Sequence, residues 1–175
     1  MLTLISHIRN EALLLPYWVR HHLPVFDAVT IIDYASTDDS LDIIRTLAPH
    51  WRIVRSQNAD FDAHDCDFEV MQIEWYTPGW KLALNTTEFV ASTDLHRLVA
   101  VCESKGIHGV SGDSYVLVDK DRIGFSGLDE KRPFLHQCRH GILESREQVI
   151  THRRLLHRWR TGSYLPGRHT WSRRP

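Results

Sequence analysis

Short apolar runs alternate with helix-like spacings along the first half of the chain. Residues 2–5 and 28–32 are mostly aliphatic or β-branched, and each run is followed by a polar cluster. Such runs are typical of strands that are buried on both faces of a parallel sheet. Residues 51–55 and 80–84 add two further strand-like runs. We therefore predict four strands in this half of the chain.

Helical patterns follow each of these strands. They predict helices within residues 11–23, 41–47, 65–76 and 94–104. Pro16 marks either a bend or the start of the first helix, because proline removes a backbone donor and clashes with the preceding turn. The alternation predicts an α/β fold, a single domain with a mostly parallel sheet and helices on both faces.

Some positions within these elements carry their own expectation. Lys81 lies inside the fourth strand and is expected to face solvent. His21 and His22 end the first helix, where the helix dipole favours imidazolium. Residues 115–118 give a weaker strand pattern, and residues 119–132 are mostly turn-forming.

Length and composition indicate an ordinary globular chain. Of its 175 residues, 42% are hydrophobic and 25% are charged, with nine Gly and seven Pro. These proportions exclude collagen, coiled coils and low-complexity tails, and the length suits one domain. No apolar run approaches the ~20 residues of a membrane span. The first residues lack the basic start and apolar centre of a signal peptide, so we predict a cytoplasmic location.

Charge is distributed unevenly along the chain. The net charge is −1, but residues 146–175 hold eight Arg and one acid, a charge of +7. Residues 1–145 hold 13 basic and 21 acidic residues, a charge of −8. We therefore divide the chain into an acidic domain, residues 1–145, and a basic C-terminal segment, residues 146–175. The segment is expected to pack on the domain or to close over an anionic ligand, the alternative being a solvated tail.

Candidate chemistry is concentrated where the predicted strands end. Polar clusters at residues 7–11, 33–40 and 85–88 follow the first, second and fourth strands. In open parallel sheets, ligands bind beyond the carboxyl ends of the strands, where such loops converge. The chain contains neither GxGxxG nor GxxxxGK[ST], which argues against dinucleotide-dependent dehydrogenases and P-loop NTPases.

Residues around these clusters fall in the order of a known family. They are Asn10-Glu11, Trp18, His21-His22, Phe26-Asp27, Asp33, Ser36-Thr37-Asp38 and Ser40. Together with the Asn-Thr-Thr-Glu-Phe box at residues 85–89 and Gly-Arg-His at residues 167–169, they make the chain resemble glycosyltransferase family 2-like enzymes of the GT-A fold. The branch it resembles has a DxDEF box and a late GRH motif. The resemblance covers most of residues 2–89 and then residues 153–171.

The resemblance implies that a sugar is transferred, with inversion, from a nucleotide-diphosphate sugar to an acceptor hydroxyl. It also implies a glycan or lipid-linked acceptor, a role in polysaccharide biosynthesis, and a cytoplasmic site, reached at the inner face of the membrane through a partner. The residues implied to bind the donor are Asn10, Glu11, Asp33, Ser36, Asp38 and Arg168. For Asn10 and Asp38, helix capping is an equally good explanation.

The box departs from the family at its metal-binding positions. The family has Asp at both, and the pair holds a divalent cation, Mn²⁺ or Mg²⁺, against the donor diphosphate; this chain has Asn85 and Thr87 instead. Neutral oxygens bind these ions more weakly than carboxylates do, which places metal dependence in doubt. Glu88 matches the family's acid, and His169 its late histidine. Charge compensation is then expected from the C-terminal arginines: Arg153, Arg154, Arg158, Arg160 and Arg168.

An inverting transfer also needs a general base. Asp129 and Glu130 lie where a loop carboxylate is expected, although acidic turn residues are usually only solvated. Asp119 and Glu144 are weaker substitutes.

Two other functions fit the same residues. A non-catalytic nucleotide-sugar-binding protein would keep the loops and lose the box carboxylates, as this chain does. An RNA-binding module would use the arginine-rich segment, but aromatic residues there are sparse and no nucleic-acid partner is expected.

Overall fold

The computed structural model describes residues 1–58, 62–92, 94–112, 114–117, 127–138, 141–143 and 154–164. The strands in these ranges are β1 (Leu2–Ile8), β2 (Ala28–Asp33), β3 (Arg52–Arg55), β4 (Trp80–Ala83), β5 (Gly109–Gly112), β6 (Tyr115–Leu117), β7 (Gly141–Leu143) and β8 (Arg154–His157). The helices are α1 (Leu15–His22), α2 (Ser40–Leu47), α3 (Ala63–Tyr76), α4 (Leu95–Ser104) and α5 (Phe134–Gln137).

Six of these strands form one sheet in the order β3-β2-β1-β4-β8-β5. The pairs β1–β2, β1–β4 and β2–β3 are parallel, which is why helices connect their strands. β8 runs antiparallel to both β4 and β5, so it is the single reversed strand in this sheet. β6 and β7 pair separately. The predicted α/β class with a mostly parallel sheet is confirmed.

One face of the sheet packs against α1, α2 and α4. Alternate strand residues point to this side, for example Leu4, Val29 and Leu82, where they join Trp18 and Ile44 in a single buried cluster. Burial of each large apolar side chain contributes about 1.5–3 kcal/mol. This face therefore holds most of the hydrophobic core.

The opposite face packs against α3. Ile5, Ile32 and Ala83 contact Cys66 and Val70 of the helix in a second, smaller cluster. Because both faces are covered, the central strands β1 and β2 are buried at all but one position each, as their mostly apolar sequences predicted. Helices on both faces are thus confirmed.

Lys81 is buried, which makes the expectation of a solvent-facing side chain wrong. Lys81 is only 2% exposed. Nζ donates hydrogen bonds to the carbonyls of Thr77 (2.9 Å) and Trp159 (2.6 Å). Burial lowers the pKa of Lys81, an effect that the charge of Glu74 opposes. The reason is that β8 pairs with β4 and the chain after β8 covers this face.

Helix α3 buries acids and exposes aromatics. Phe68 and Trp75 are exposed, whereas Glu69 and Glu74 are buried. Glu69 accepts hydrogen bonds from Ser56 Oγ (2.8 Å) and from the Gln57 N–H (2.6 Å). These acids fasten neighbouring segments to the helix, so apolar periodicity alone misplaces its buried face.

Glu74 is the centre of a polar cluster in the interior. Its carboxylate accepts hydrogen bonds from the Gly162 N–H (2.6 Å) and from Tyr164 Oη (2.5 Å). The third contact is with His157 Nε2 (3.2 Å), and both ionisable side chains are 0% exposed. Residues 158–164 are thereby attached to α3.

Part of the basic segment lies inside the sheet. Residues 154–157 form β8, between β4 and β5. Its four residues, Arg-Leu-Leu-His, are too few and do not alternate between polar and apolar, so the sequence gave no distinct strand signal there. The division into residues 1–145 and 146–175 stays a prediction. Among the described residues, no helix combines the length and apolarity needed to cross a bilayer.

Replacing Glu74 with Ala leaves buried donors without an acceptor. We expect the free energy of unfolding to fall by about 3–5 kcal/mol, since the change also removes the carboxylate charge that favours the buried ammonium of Lys81. Glu74→Gln, which keeps one acceptor oxygen, should cost less. Urea denaturation measures both. Asp42→Ala, at an exposed position of α2, is the matched control, and an equal effect of Asp42→Ala and Glu74→Ala would contradict this role.

Candidate functional site

Three loops meet at the carboxyl edge of the sheet. They follow β1, β2 and β4, and β1 lies between the other two strands. Parallel neighbours end at the same edge, so the polar clusters predicted at these strand ends lie next to one another. This edge is the candidate site.

The loops after β1 and β2 are joined by hydrogen bonds. The Asn10 N–H donates to Ser36 Oγ (3.1 Å), and Asn10 Oδ1 accepts from the Thr37 N–H (2.8 Å). The Ala12 N–H donates to Asp38 Oδ2 (3.0 Å). Three predicted donor-binding residues therefore hold the two loops together, and their structural use is established whether or not they also touch a ligand.

The same loops contain unusual backbone geometry. Asn10 and Ala35 both have positive φ, 55° and 54°. Asn tolerates this left-handed region, but for Ala it costs about 1 kcal/mol, which the surrounding bonds must offset. Asp33, only 7% exposed, fixes the turn because its Oδ1 accepts the Ser36 N–H (3.1 Å). Backbone strain of this kind often accompanies binding sites.

Glu11 connects the loop after β1 to the other two loops. Its N–H donates to Ser40 Oγ (2.8 Å), and its carboxyl group hydrogen-bonds to the side chain of Thr86 in the loop after β4. Burial raises the pKa of Glu11, the negative charge of Asp38 adds to this, and the Thr86 hydrogen bond opposes it. All three predicted loops are thus in contact.

The box after β4 forms a tight turn closed by Glu88. Its carboxylate accepts the Asn85 N–H (2.7 Å), and its own N–H donates to the Asn85 carbonyl (3.0 Å). Thr86 is buried and Thr87 is exposed. Arg154 grips the Glu88 carboxylate from β8, with Nε 2.8 Å from both oxygens and Nη2 also bonded. The pair is largely buried, with Arg154 8% and Glu88 24% exposed.

The residues of this box do not fit a divalent cation. Asn85 and Thr87 offer only neutral oxygens, and Glu88 is already occupied by the guanidinium of Arg154. In the described part of the chain, no group of three or more His, Cys, Asp and Glu side chains could hold a metal ion. The predicted residues of the late motif lie outside the described residues: Arg168 and His169.

Helix α1 anchors the chain that leaves the box. Trp18 Nε1–H donates to the Glu88 carbonyl (2.9 Å), and His21 Nε2 is 2.8 Å from the Val90 carbonyl. The Val90 N–H points to His22 Nε2 (3.4 Å). The residues that the sequence presents as a motif on this helix therefore position the box.

His22 must be neutral to make these bonds. Burial lowers the pKa of His22 to about 3, His21 adds to the shift, and the bond to the Trp18 carbonyl (2.9 Å) opposes it. The network assigns the proton to Nδ1, which leaves Nε2 free to accept. The expectation of an imidazolium here is wrong, because desolvation outweighs the helix dipole.

The predicted general bases lie on an exposed turn. Glu130 pairs with Arg20 Nη1 of α1 at 3.3 Å, and Asp129 Oδ1 accepts the Lys131 N–H (2.9 Å). The side chain of Gln137 holds the turn, because it accepts a hydrogen bond from the Asp129 N–H (2.9 Å) and donates one to the Asp129 carbonyl (2.8 Å). Their role as bases stays a prediction.

This turn is attached to the same helix as the box. Phe134, which follows it, packs against Tyr17 of α1 and stacks on Phe89 of the box, with ring centroids 4.3 Å apart. Leu14 completes the cluster. The segment 127–138 and the box therefore share one apolar contact with α1.

The C-terminal arginines have separate roles. Arg158 contacts Glu103 (3.7 Å), and Arg160 stacks over the ring of Trp75 at 3.7 Å. Arg154 alone of these three reaches the box. Composition and spacing in the sequence do not distinguish Arg154 from the other C-terminal arginines. The register of β8 does, because it places Arg154 opposite Gly112 at the end of β5.

The chain has remote structural likenesses to known proteins. No family model and no curated protein matches it. A mannosyltransferase from Pyrobaculum calidifontis, in complex with GDP-Man and Mn²⁺, aligns with 62% of this chain and 34% of its own, at 19% identity and a TM-score of 0.48. TarS of S. aureus gives the same coverage and score at 14% identity. Glucosyl-3-phosphoglycerate synthase from Mycobacterium tuberculosis, with UDP, aligns over 62% of this chain and 42% of its own, at 13% identity and 0.46. The chain thus spans a third to two-fifths of the length of these proteins.

The lowered pKa of His22 predicts a pH-dependent stability. The unfolded chain binds this proton near pH 6.5 and the folded chain only near pH 3. The contribution of His22 to the free energy of unfolding is fully present above pH 6.5. It decreases between pH 6.5 and about pH 3, by up to about 1.4 kcal/mol per pH unit. Urea denaturation across this range should show a shallower slope for His22→Gln than for the wild type. His64→Gln, at an exposed position of α3, is the control, and identical slopes for wild type and His22→Gln would refute the assignment.

Proposed function

We propose that this chain binds a nucleotide-diphosphate sugar at the carboxyl edge of its sheet and acts as a GT-A-type glycosyltransferase. The observation that carries the proposal is the contact of all three loops at that edge, with the buried carboxyl group of Asp33 and the half-buried carboxyl group of Glu11 among them. An acid at a strand end discriminates among nucleotides, because it accepts hydrogen bonds from ribose hydroxyls or base N–H groups. The ordered family residues support the same function.

The transfer exchanges one bond for another. The acceptor hydroxyl loses its proton to a carboxylate, its oxygen attacks the anomeric carbon, and the bond from that carbon to the diphosphate oxygen breaks. The nucleoside diphosphate leaves with the electron pair, and the anomeric configuration inverts. We propose Asp129 or Glu130 as the base, and Asn10, Ser36, Asp38 and Arg168 as further donor contacts.

The proposed acceptor is a glycan or a lipid-linked saccharide. We place the reaction in polysaccharide biosynthesis in the cytoplasm, at the inner face of the membrane through a partner. The support is the family resemblance of residues 2–89 and the exposed turn that carries the candidate bases.

A non-catalytic nucleotide-sugar-binding protein is the second candidate. It is favoured by the neutral side chains of Asn85 and Thr87 and by the Glu88 carboxylate's use in an ion pair. Hydrolysis of the bound donor separates the two functions: slow release of free sugar favours the enzyme, and an intact bound donor favours the binding protein.

Asp33→Asn tests the donor site. The amide oxygen can still accept the Ser36 N–H, so the fold should persist while the negative charge is lost. We expect calorimetric affinity for UDP, GDP or their sugars to fall at least about tenfold, as for a lost hydrogen bond to a charged group. Asp39→Asn, on a residue whose side chain does not cap α2, is the matched control. Equal affinities in wild type and Asp33→Asn would remove Asp33 from the site.

Asp129→Asn and Glu130→Gln test the base. Loss of the true base should lower transfer about 10²–10⁴-fold and leave donor affinity unchanged. Arg20→Gln breaks the same ion pair as Glu130→Gln without touching the carboxylate, so it separates catalysis from loop packing. Full activity in both carboxyl variants would exclude this turn as the source of the base.

A further inference from the structure

We propose that the Glu88–Arg154 ion pair takes the place of a divalent cation at the end of β4, so that this box excludes Mn²⁺ and Mg²⁺ and Arg154 supplies the positive charge that acts on a diphosphate. The part that concerns the diphosphate rests on the proposed function. The part that concerns metal exclusion stands on the geometry of the box alone.

The first support is the charge of the box. Asn85 and Thr87 carry no charge, and Glu88 is matched by one guanidinium, so the charges of residues 85–89 and Arg154 sum to zero without any metal. An acidic box needs a cation to approach neutrality before a diphosphate can bind. This box is already neutral, and a divalent ion at Glu88 would meet a fixed positive charge within bonding distance of the same oxygens.

The second support is that the carboxylate has little remaining capacity. Both of its oxygens bond to Arg154, and Oε2 also accepts the Asn85 N–H. A metal ion would have to displace a bidentate guanidinium from a carboxylate that is only 24% exposed. Bidentate arginine–carboxylate pairs are among the stronger charged hydrogen bonds, and burial strengthens them further.

The third support is the position of Arg154 in the sheet. β8 is antiparallel, so its first residue lies at the edge where the parallel strands end. Arg154 faces Gly112, the last residue of β5, and lies beside the end of β4. The reversed strand thus delivers one arginine to the edge where the three loops meet. Arg158 and Arg160, further along, are held elsewhere by Glu103 and Trp75.

Metal exclusion is tested with Mn²⁺ alone, by its electron paramagnetic resonance signal. The wild-type chain should leave millimolar Mn²⁺ free. The double variant Asn85→Asp, Thr87→Asp should bind little Mn²⁺ while Arg154 remains. Adding Arg154→Met to this double variant should create Mn²⁺ binding. Wild-type Mn²⁺ binding that Glu88→Gln abolishes would overturn the proposal, as would strong binding by the double Asp variant with Arg154 in place.

The charge role is tested with UDP and GDP in calorimetry, in EDTA and in Mn²⁺. Affinity should be the same in both buffers. Arg154→Met should weaken it at least about tenfold and Arg154→Lys less, because the lysine keeps the charge. Arg158→Met, which removes an exposed arginine of the same segment, should change nothing.

A charge-balanced variant serves as the control for effects on folding. Arg154→Met alone leaves Glu88 uncompensated, so Glu88→Gln with Arg154→Met removes both charges, and circular dichroism checks that each variant is folded. A folded double variant that binds nucleotide as tightly as the wild type overturns the role of Arg154. Metal-enhanced binding to the wild type overturns the whole proposal. If neither nucleotide binds the folded wild type and Mn²⁺ stays free, the proposed function and the diphosphate role fail together while metal exclusion holds.

Discussion

Pairing of β8 with β4 is the interaction on which the rest of this structure depends. It converts β4 from an edge strand into an interior one, and it connects β5 to the sheet. It also buries Lys81, which the chain after β8 then supplies with a carbonyl. At the other end of the same strand it brings Arg154 to Glu88. One short antiparallel strand thereby fixes both a buried polar cluster and the electrostatics of the candidate site.

The candidate site is built mainly from backbone held by polar side chains. Asn10, Ser36, Asp38 and Ser40 each accept or donate a hydrogen bond between loops, and this network maintains two residues at positive φ. A rigid edge of this kind keeps its shape before a ligand arrives, which reduces the entropy lost on binding. The same residues can therefore both hold the loops in place and contact a ligand.

The sequence predicted what depends on periodicity and on strand-end composition. The parallel strands, their helices and the meeting of three polar loops all follow from patterns within about 15 residues. It failed where the deciding partner lies far along the chain. Lys81 looked exposed because nothing near it reveals β8, and nothing near Glu74 indicates its three partners, which lie in residues 157–164. Among the arginines, only long-range register could single out Arg154.

The position of β8 in the chain has a consequence for how the molecule folds. Lys81 pairs with His157, 76 residues later, whereas β1 to β4 pair within the first 83 residues. A long loop must close before this contact forms, so we expect the pairing of β8 with β4 to be a late step in folding. During synthesis, we therefore expect β4 to remain an unpaired edge strand until β8 is made, with Lys81 and Glu88 exposed to solvent. This interval is when the chain is most exposed to strand pairing with another molecule. The charges that later become buried also serve, in this interval, to discourage that pairing.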